Sequence, residues 1–151
     1  MNASTMKTSL HDILNRQIAN WSVLYMKLHH YHWYVKGEPF FTLHMKFEEL
    51  YTEASLHVDA LAERLLALGG KPVATLSGVL EEASVSDASG GESAQQMVGT
   101  IVSDFVRLTA ELKAGMQAAA AAQDETTGDL LLGIHAGLEK HVWMLNAFLG
   151  K

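Results

Sequence analysis

The chain has 151 residues, 48% of them apolar, with a formal net charge of −6. That describes one globular domain with a sizeable core, not a disordered segment. Cysteine is absent, which excludes disulfides, zinc–thiolate sites and cysteine nucleophiles. The 11 lysines and arginines form no basic run, so the surface repels nucleic-acid phosphates and suits cations.

The opening "MNASTMKTSLHD" has no apolar run, so it is not a signal peptide. Residues 1–8 read as a flexible lead, with Met6 as an alternative start, and residues 9–151 as one domain. No apolar stretch reaches the roughly 18 residues that a membrane span needs. Together with the lack of cysteine, this fits a cytoplasmic protein.

Four long helical patterns follow. The first runs from about Ser9 to Lys36, with Leu14, Ile18, Trp21, Tyr25, Leu28 and Val35 at helical spacing and Gly37 as its stop. "GEPF" is a short connection, so the second helix should lie antiparallel beside the first. That helix spans about Thr42 to Leu68, with Thr42 as its cap and Gly69-Gly70 as its end. A long stretch from Gly69 to Gly91 comes next, and "TLSGVLEEAS" within it reads as a short extra helix. The third pattern covers about Glu92 to Ala122 and the fourth about Thr126 to Leu149. The expected fold is all-α: a ferritin-like four-helix bundle with a short helix in the long crossover between its second and third long helices.

Chemistry concentrates on the second helix. At 100° per residue with His44 at zero, Leu43, Phe47, Leu50, Ala54, Leu61, Leu65 and Leu68 fall between about 240° and 300°, the core stripe. Glu48, Asp59 and Glu63 fall at about 40°, 60° and 100°. His44 and these three carboxylates therefore share a second stripe with few lysines to balance it. Imidazole with carboxylates is a ligand set for iron or another divalent metal, although a polar stripe opposite a core is ordinarily a solvated face. The pairs His44/Glu48 and Asp59/Glu63 are each i,i+4 neighbours. Yet Glu48 and Asp59 stand about 16 Å apart along the axis, and His44 and Asp59 about 22 Å. One rigid helix cannot bring both pairs to one ion. Either there are two half-sites, or an antiparallel second copy completes a shared one.

His32, in the apolar stripe of the first helix, is carried by the chain reversal toward the His44/Glu48 end. No Glu is followed three residues later by His, the spacing of di-iron sites within one bundle. The nearest pair is Glu53 and His57, at i+4. A di-iron centre inside each bundle is therefore disfavoured. His135 reads as a member of the fourth helix's core stripe with His141 near it, while His29, His30 and His57 stay unassigned.

"HHYHWYVKGEPFFTLHMKFEELY", followed by "HVDALAERLLALGGKP" and the terminal "KHVWMLNAFLGK", resembles the signature of the Dps mini-ferritins from about Thr8 to Lys151. The resemblance implies a dodecameric hollow cage that oxidises Fe(II) with hydrogen peroxide or O2, at ferroxidase sites shared by two-fold-related subunits, and stores the ferric mineral. It implies His32 and His44 as ligands from one subunit, and Asp59 and Glu63 from the other. Glu48 falls where many relatives have Asp, which leaves direct or water-mediated ligation open. Trp33 becomes a nearby aromatic able to supply electrons. Zinc would accept the same ligands in place of iron. Asp124, Glu125 and Asp129, near the start of the fourth helix, would line acidic three-fold pores that admit iron, against a reading as helix caps. Glu49 would nucleate mineral on the inner wall.

Two other functions compete. A nucleoid-associated DNA binder would need a basic tail, and the lead before the first helix holds only Lys7. A structural oligomer without metal chemistry would have no use for the ligand set.

Overall fold

The computed structural model describes residues 3–151, with side chains described from residue 10. Five helices follow one another: α1 (Ala3–Tyr34), α2 (Phe40–Ala67), α3 (Leu76–Glu82), α4 (Ala94–Ala121) and α5 (Glu125–Phe148). α1 begins inside the stretch expected as a lead, and residues 1 and 2 lie outside the described residues. The four long helices form the bundle and α3 sits in the crossover, as the periodicity indicates. None of the described helices is long and apolar enough to cross a membrane.

The caps refine the expected boundaries. α2 starts at Phe40, not at Thr42, and no side chain caps it. The turn does that work: Gly37 takes a left-handed φ of 94°, and its carbonyl accepts from Phe40 N at 3.1 Å. Pro39, with φ already restricted by its ring, then supplies the carbonyl for Leu43 N at 2.9 Å. α4 starts at Ala94 behind a capping box, in which Ser93 and Gln96 satisfy each other's backbone N–H. Asp124 caps α5 by accepting from Thr127 N at 3.0 Å.

Trp21, Tyr31, Phe47 and Phe105, from α1, α2 and α4, are fully buried at the heart of the bundle. α1 packs closely along α2, α4 along α5, and α1 also meets α4. The seam between α2 and α5 is wider. Side chains span it: Arg64 reaches Asp124 at 3.1 Å and Thr127 at 2.9 Å.

The crossover is fastened to α1. Asn15 donates to Lys71 O at 3.0 Å and accepts from Val73 N at 2.8 Å. Asn20 accepts from Ser84 N at 2.7 Å. Lys27 donates to Ser86 O and to Asp104 on α4, both at 2.8 Å. The Lys27 side chain is 3% exposed and that of Asp104 13%. Burial holds the Asp104 carboxyl above its ordinary range, against the opposing pull of Lys27. Each charge is tolerated because the other is present. Truncating Lys27 to Ala should therefore lower stability by about 3–5 kcal/mol, the cost of stranding a buried charge. The double replacement Lys27→Met with Asp104→Leu should recover most of that loss in urea unfolding.

Candidate metal centre

The end of α1 and the start of α2 hold the first set of donors. The His32 and His44 rings stack with centroids 3.6 Å apart at 14°. His32 Nδ1 donates to the backbone carbonyl of His44, and His44 Nδ1 to that of His32, each at 2.7 Å. A carbonyl can only accept, so both Nδ1 atoms carry hydrogen. The neutral ring then leaves each Nε2 with a free lone pair, the form that binds metals. The exchange also satisfies the His32 carbonyl, one of the last four of α1 that the helix cannot pair.

Glu48 is exposed on the next turn and accepts from Tyr51 Oη at 3.2 Å. Burial and that carboxylate push the Tyr51 phenol above its ordinary value of 10.0, keeping it a donor. Tyr51 also stands edge-on to His32 at 5.3 Å and stacks on His29 at 3.7 Å. His29 in turn lies 5.3 Å from Trp33, whose indole is largely exposed. Trp33 thus joins the donor end through an aromatic chain, and His29, unassigned from sequence, is one of its links.

Asp59 and Glu63 lie on the same helix, exposed, with no partner among the described residues. Asp59 borders a groove lined by Tyr25, Met26, Leu56, Leu76 and Leu80. These apolar side chains are exposed, Leu76 by 85%. Within one chain, Asp59 and Glu63 join no metal-ligand cluster with His32, His44 or Glu48 among the described residues.

A different cluster does form. Donor atoms of Glu49, Glu53 and His141 lie within 4.8 Å of one another, across the α2–α5 seam. His141 Nε2 meets Glu53 Oε2 at 2.8 Å. The histidine placement on α5 corrects the expectation: His141 is the buried core residue, whereas His135 is half-buried and faces Glu139 at 3.4 Å. His57 packs against Trp21, ring centroids 4.6 Å apart and tilted by 55°, and burial holds its ring below the ordinary histidine value. The spacing Glu49, Glu53, His57 was visible as an i,i+4 ladder, but nothing in the sequence aligned it with His141.

The acidic group at the start of α5 divides. Asp124 caps the helix and pairs with Arg64, and is held below the ordinary carboxylate range by those hydrogen bonds against the opposing effect of burial. Glu125 and Asp129 are exposed.

Comparison with known proteins gives one family match and three likenesses to individual proteins. Residues 11–151 match the Ferritin-like domain family. A "DNA protection during starvation protein" of Brevibacillus brevis is 62% identical over 148 residues, covering 95% of this chain and 99% of the relative. The crystal structure of a Dps protein from Bacillus brevis superposes with a TM-score of 0.95 at 59% identity, covering 99% of both chains. A Listeria innocua Dps soaked with zinc superposes with a TM-score of 0.91 at 42% identity, covering 94% of this chain and 97% of that one.

The Glu53–His141 contact has a consequence in acid. The hydrogen bond from His141 is the first cause holding the Glu53 carboxyl below its ordinary value of 4.5. A carboxyl with a lowered folded pKa contributes stability above its unfolded value and loses it as pH falls through the folded one. The melting temperature of the native protein should therefore fall below about pH 4.5 more steeply than that of Glu53→Gln. Parallel curves in thermal melts from pH 6 to pH 3 would contradict this.

Proposed function

The chain belongs to the Dps family of mini-ferritins in the ferritin-like superfamily, and from that premise we propose that two of its copies complete each iron-oxidising centre. The protein is a ferroxidase that oxidises and stores iron, with Fe(II) as its substrate; zinc is a substitute for iron at such ligands. One copy supplies His32 and His44, with Glu48 beside them, and the other supplies Asp59 and Glu63.

The observation that carries this reading is the mutual hydrogen bonding of His32 and His44. It engages both Nδ1 atoms and leaves the two Nε2 atoms turned outward at one end of α2, with two unpaired carboxylates about 22 Å away along the same helix. The apolar groove beside Asp59 supports a second copy as the missing half, because burying exposed Leu76, Leu80, Leu56 and Met26 favours association. An isologous two-fold interface makes two such centres at once.

Imidazole and carboxylate hold Fe(II) while leaving positions for an oxidant, and carboxylates favour the ferric product. Two Fe(II) ions each give one electron, and a peroxide taking both electrons with two protons leaves as two waters. Hydroxyl radical, the product of a single electron, is avoided. Trp33, linked through His29 and Tyr51, is the aromatic placed to donate an electron when only one iron is present. We place the assembled protein in the cytoplasm as a dodecamer. Glu125 and Asp129 with Asp124 border the pores that admit iron, and Glu49 serves mineral growth. The net charge of −6 weighs against direct DNA binding.

Complementation tests the shared centre. Chains carrying His32→Ala and His44→Ala should lose iron oxidation by at least about tenfold, as should chains carrying Asp59→Ala and Glu63→Ala, since both sets act only together. Unfolded and reassembled as an equal mixture, the two defective chains should restore about a quarter of the centres, the statistical fraction for a site drawing each half from a different copy. Stopped-flow oxidation without recovery, in confirmed mixed assemblies, would place the centre within one chain.

A further inference from the structure

We propose that the α2–α5 seam holds a second metal site, built by a single chain, in which Glu49, Glu53 and His141 bind one divalent cation. The three donor atoms already lie within 4.8 Å of one another. They come from two helices whose order in the bundle is fixed by the core, so no second copy is needed. This site is also distinct from the two-chain centre. On the wheel of α2, Glu49 and Glu53 lie at about 140° and 180°, whereas the His44, Glu48, Asp59 and Glu63 stripe spans about 0° to 100°.

The geometry suits an ion. Glu53 Oε2 and His141 Nε2 stand 2.8 Å apart. Ligands at about 2.1 Å from a metal and at right angles stand about 3.0 Å apart, so an ion can replace the bridging proton with a shift of a few tenths of an ångström. His141 is 6% exposed, and its Nδ1 is buried with no hydrogen-bond partner. The nitrogen that meets Glu53 is Nε2; Nδ1 lies across the ring from it and takes no part in the site. The cluster opens on a cavity of about 400 Å³, also lined by His57, Lys46, Lys140 and Met144. His57 is a candidate fourth donor on the helical turn after Glu53.

One nitrogen and two carboxylate oxygens favour a borderline cation such as Fe(II), Co(II) or Zn(II) over calcium or magnesium, which prefer all-oxygen shells. Lys46 is the gatekeeper. Its ammonium pairs with Glu49 at 3.0 Å and occupies the charge position an ion would take. The bound ion ties α2 to α5 where their backbones stand apart, so it acts as a removable clamp on the loosest seam of the bundle. Because binding to the folded state alone stabilises it, the clamp strengthens with free cation.

Cobalt(II) alone, without oxidant, is the probe. Equilibrium dialysis of the assembled protein should show a site filled once per chain that survives Asp59→Ala with Glu63→Ala, so its fate is separate from that of the two-chain centre. Glu49→Gln, an exposed change that leaves the core intact, should weaken it about tenfold, and Lys46→Gln should tighten it. Anomalous scattering from crystals equilibrated at micromolar cobalt should place the ion between Glu49, Glu53 and His141. The proposal fails if that position is empty, if it fills only at millimolar cobalt as an adventitious ion, or if Glu49→Gln and Glu53→Gln leave the affinity unchanged.

Discussion

An α-helix advances about 1.5 Å per residue and does not bend back on itself. That rigidity governs everything α2 can do. His44 and Glu48 occupy one end of it, Asp59 and Glu63 the other, and no rearrangement within one bundle brings them to the same ion. The first four-residue turn of donors faces His32 because the chain reverses tightly at Gly37 and Pro39. The second pair faces solvent beside an apolar groove. On the proposed reading, chemistry that needs both ends belongs to the interface between copies, and iron oxidation becomes a property of the assembly.

The two sides of the bundle differ in how they are held. Where α1 meets α2, backbones approach closely, and the stacked imidazoles pin the helix ends to each other through carbonyl groups. The same hydrogen bonds set the tautomer that exposes both Nε2 atoms. In the proposed centre, structure and ligation are one arrangement: the bonds that fasten the rings are the bonds that ready them. Where α2 meets α5, polar side chains bridge a wider gap, with Arg64 near one end and Glu53–His141 further along. Both sides thus present donor atoms, one through stacked rings at closely packed helix ends and the other through polar bridges across a wider gap.

The sequence carried much of this and omitted the rest for identifiable reasons. Helical periodicity located all four long helices and the crossover helix, since the apolar spacing is set by the core they share. Ser93 and Gln96 could be read as a capping box three residues apart. Thr42 misled because a Gly–Pro turn can start a helix without any side-chain cap. The half-site logic followed from helix pitch alone, whereas the assignment of His32 leaned on resemblance to relatives. The reciprocal bonds between His32 and His44 depend on ring orientation, which no spacing encodes. His141 beside Glu53 was out of reach for a different reason. Pairing them requires knowing which face α5 turns toward α2, and His135 and His141 stand about 120° apart on its wheel, so choosing the wrong one as inward misplaces the other.

The crossover looks like the natural place for the chain to vary, being long and mostly outside the bundle. Its attachment to α1 says otherwise. Lys71, Val73, Ser84 and Ser86 are each met through backbone or side-chain hydrogen bonds by Asn15, Asn20 or Lys27. An inserted residue between any two of these anchors shifts a backbone group away from a donor on a rigid helix. Added length is therefore best accommodated beyond these anchors, in the short span after Ser86 that holds the left-handed Gly90 and Gly91. α1 acts as a template against which the crossover's length is measured, so this segment should drift in composition far more readily than in size.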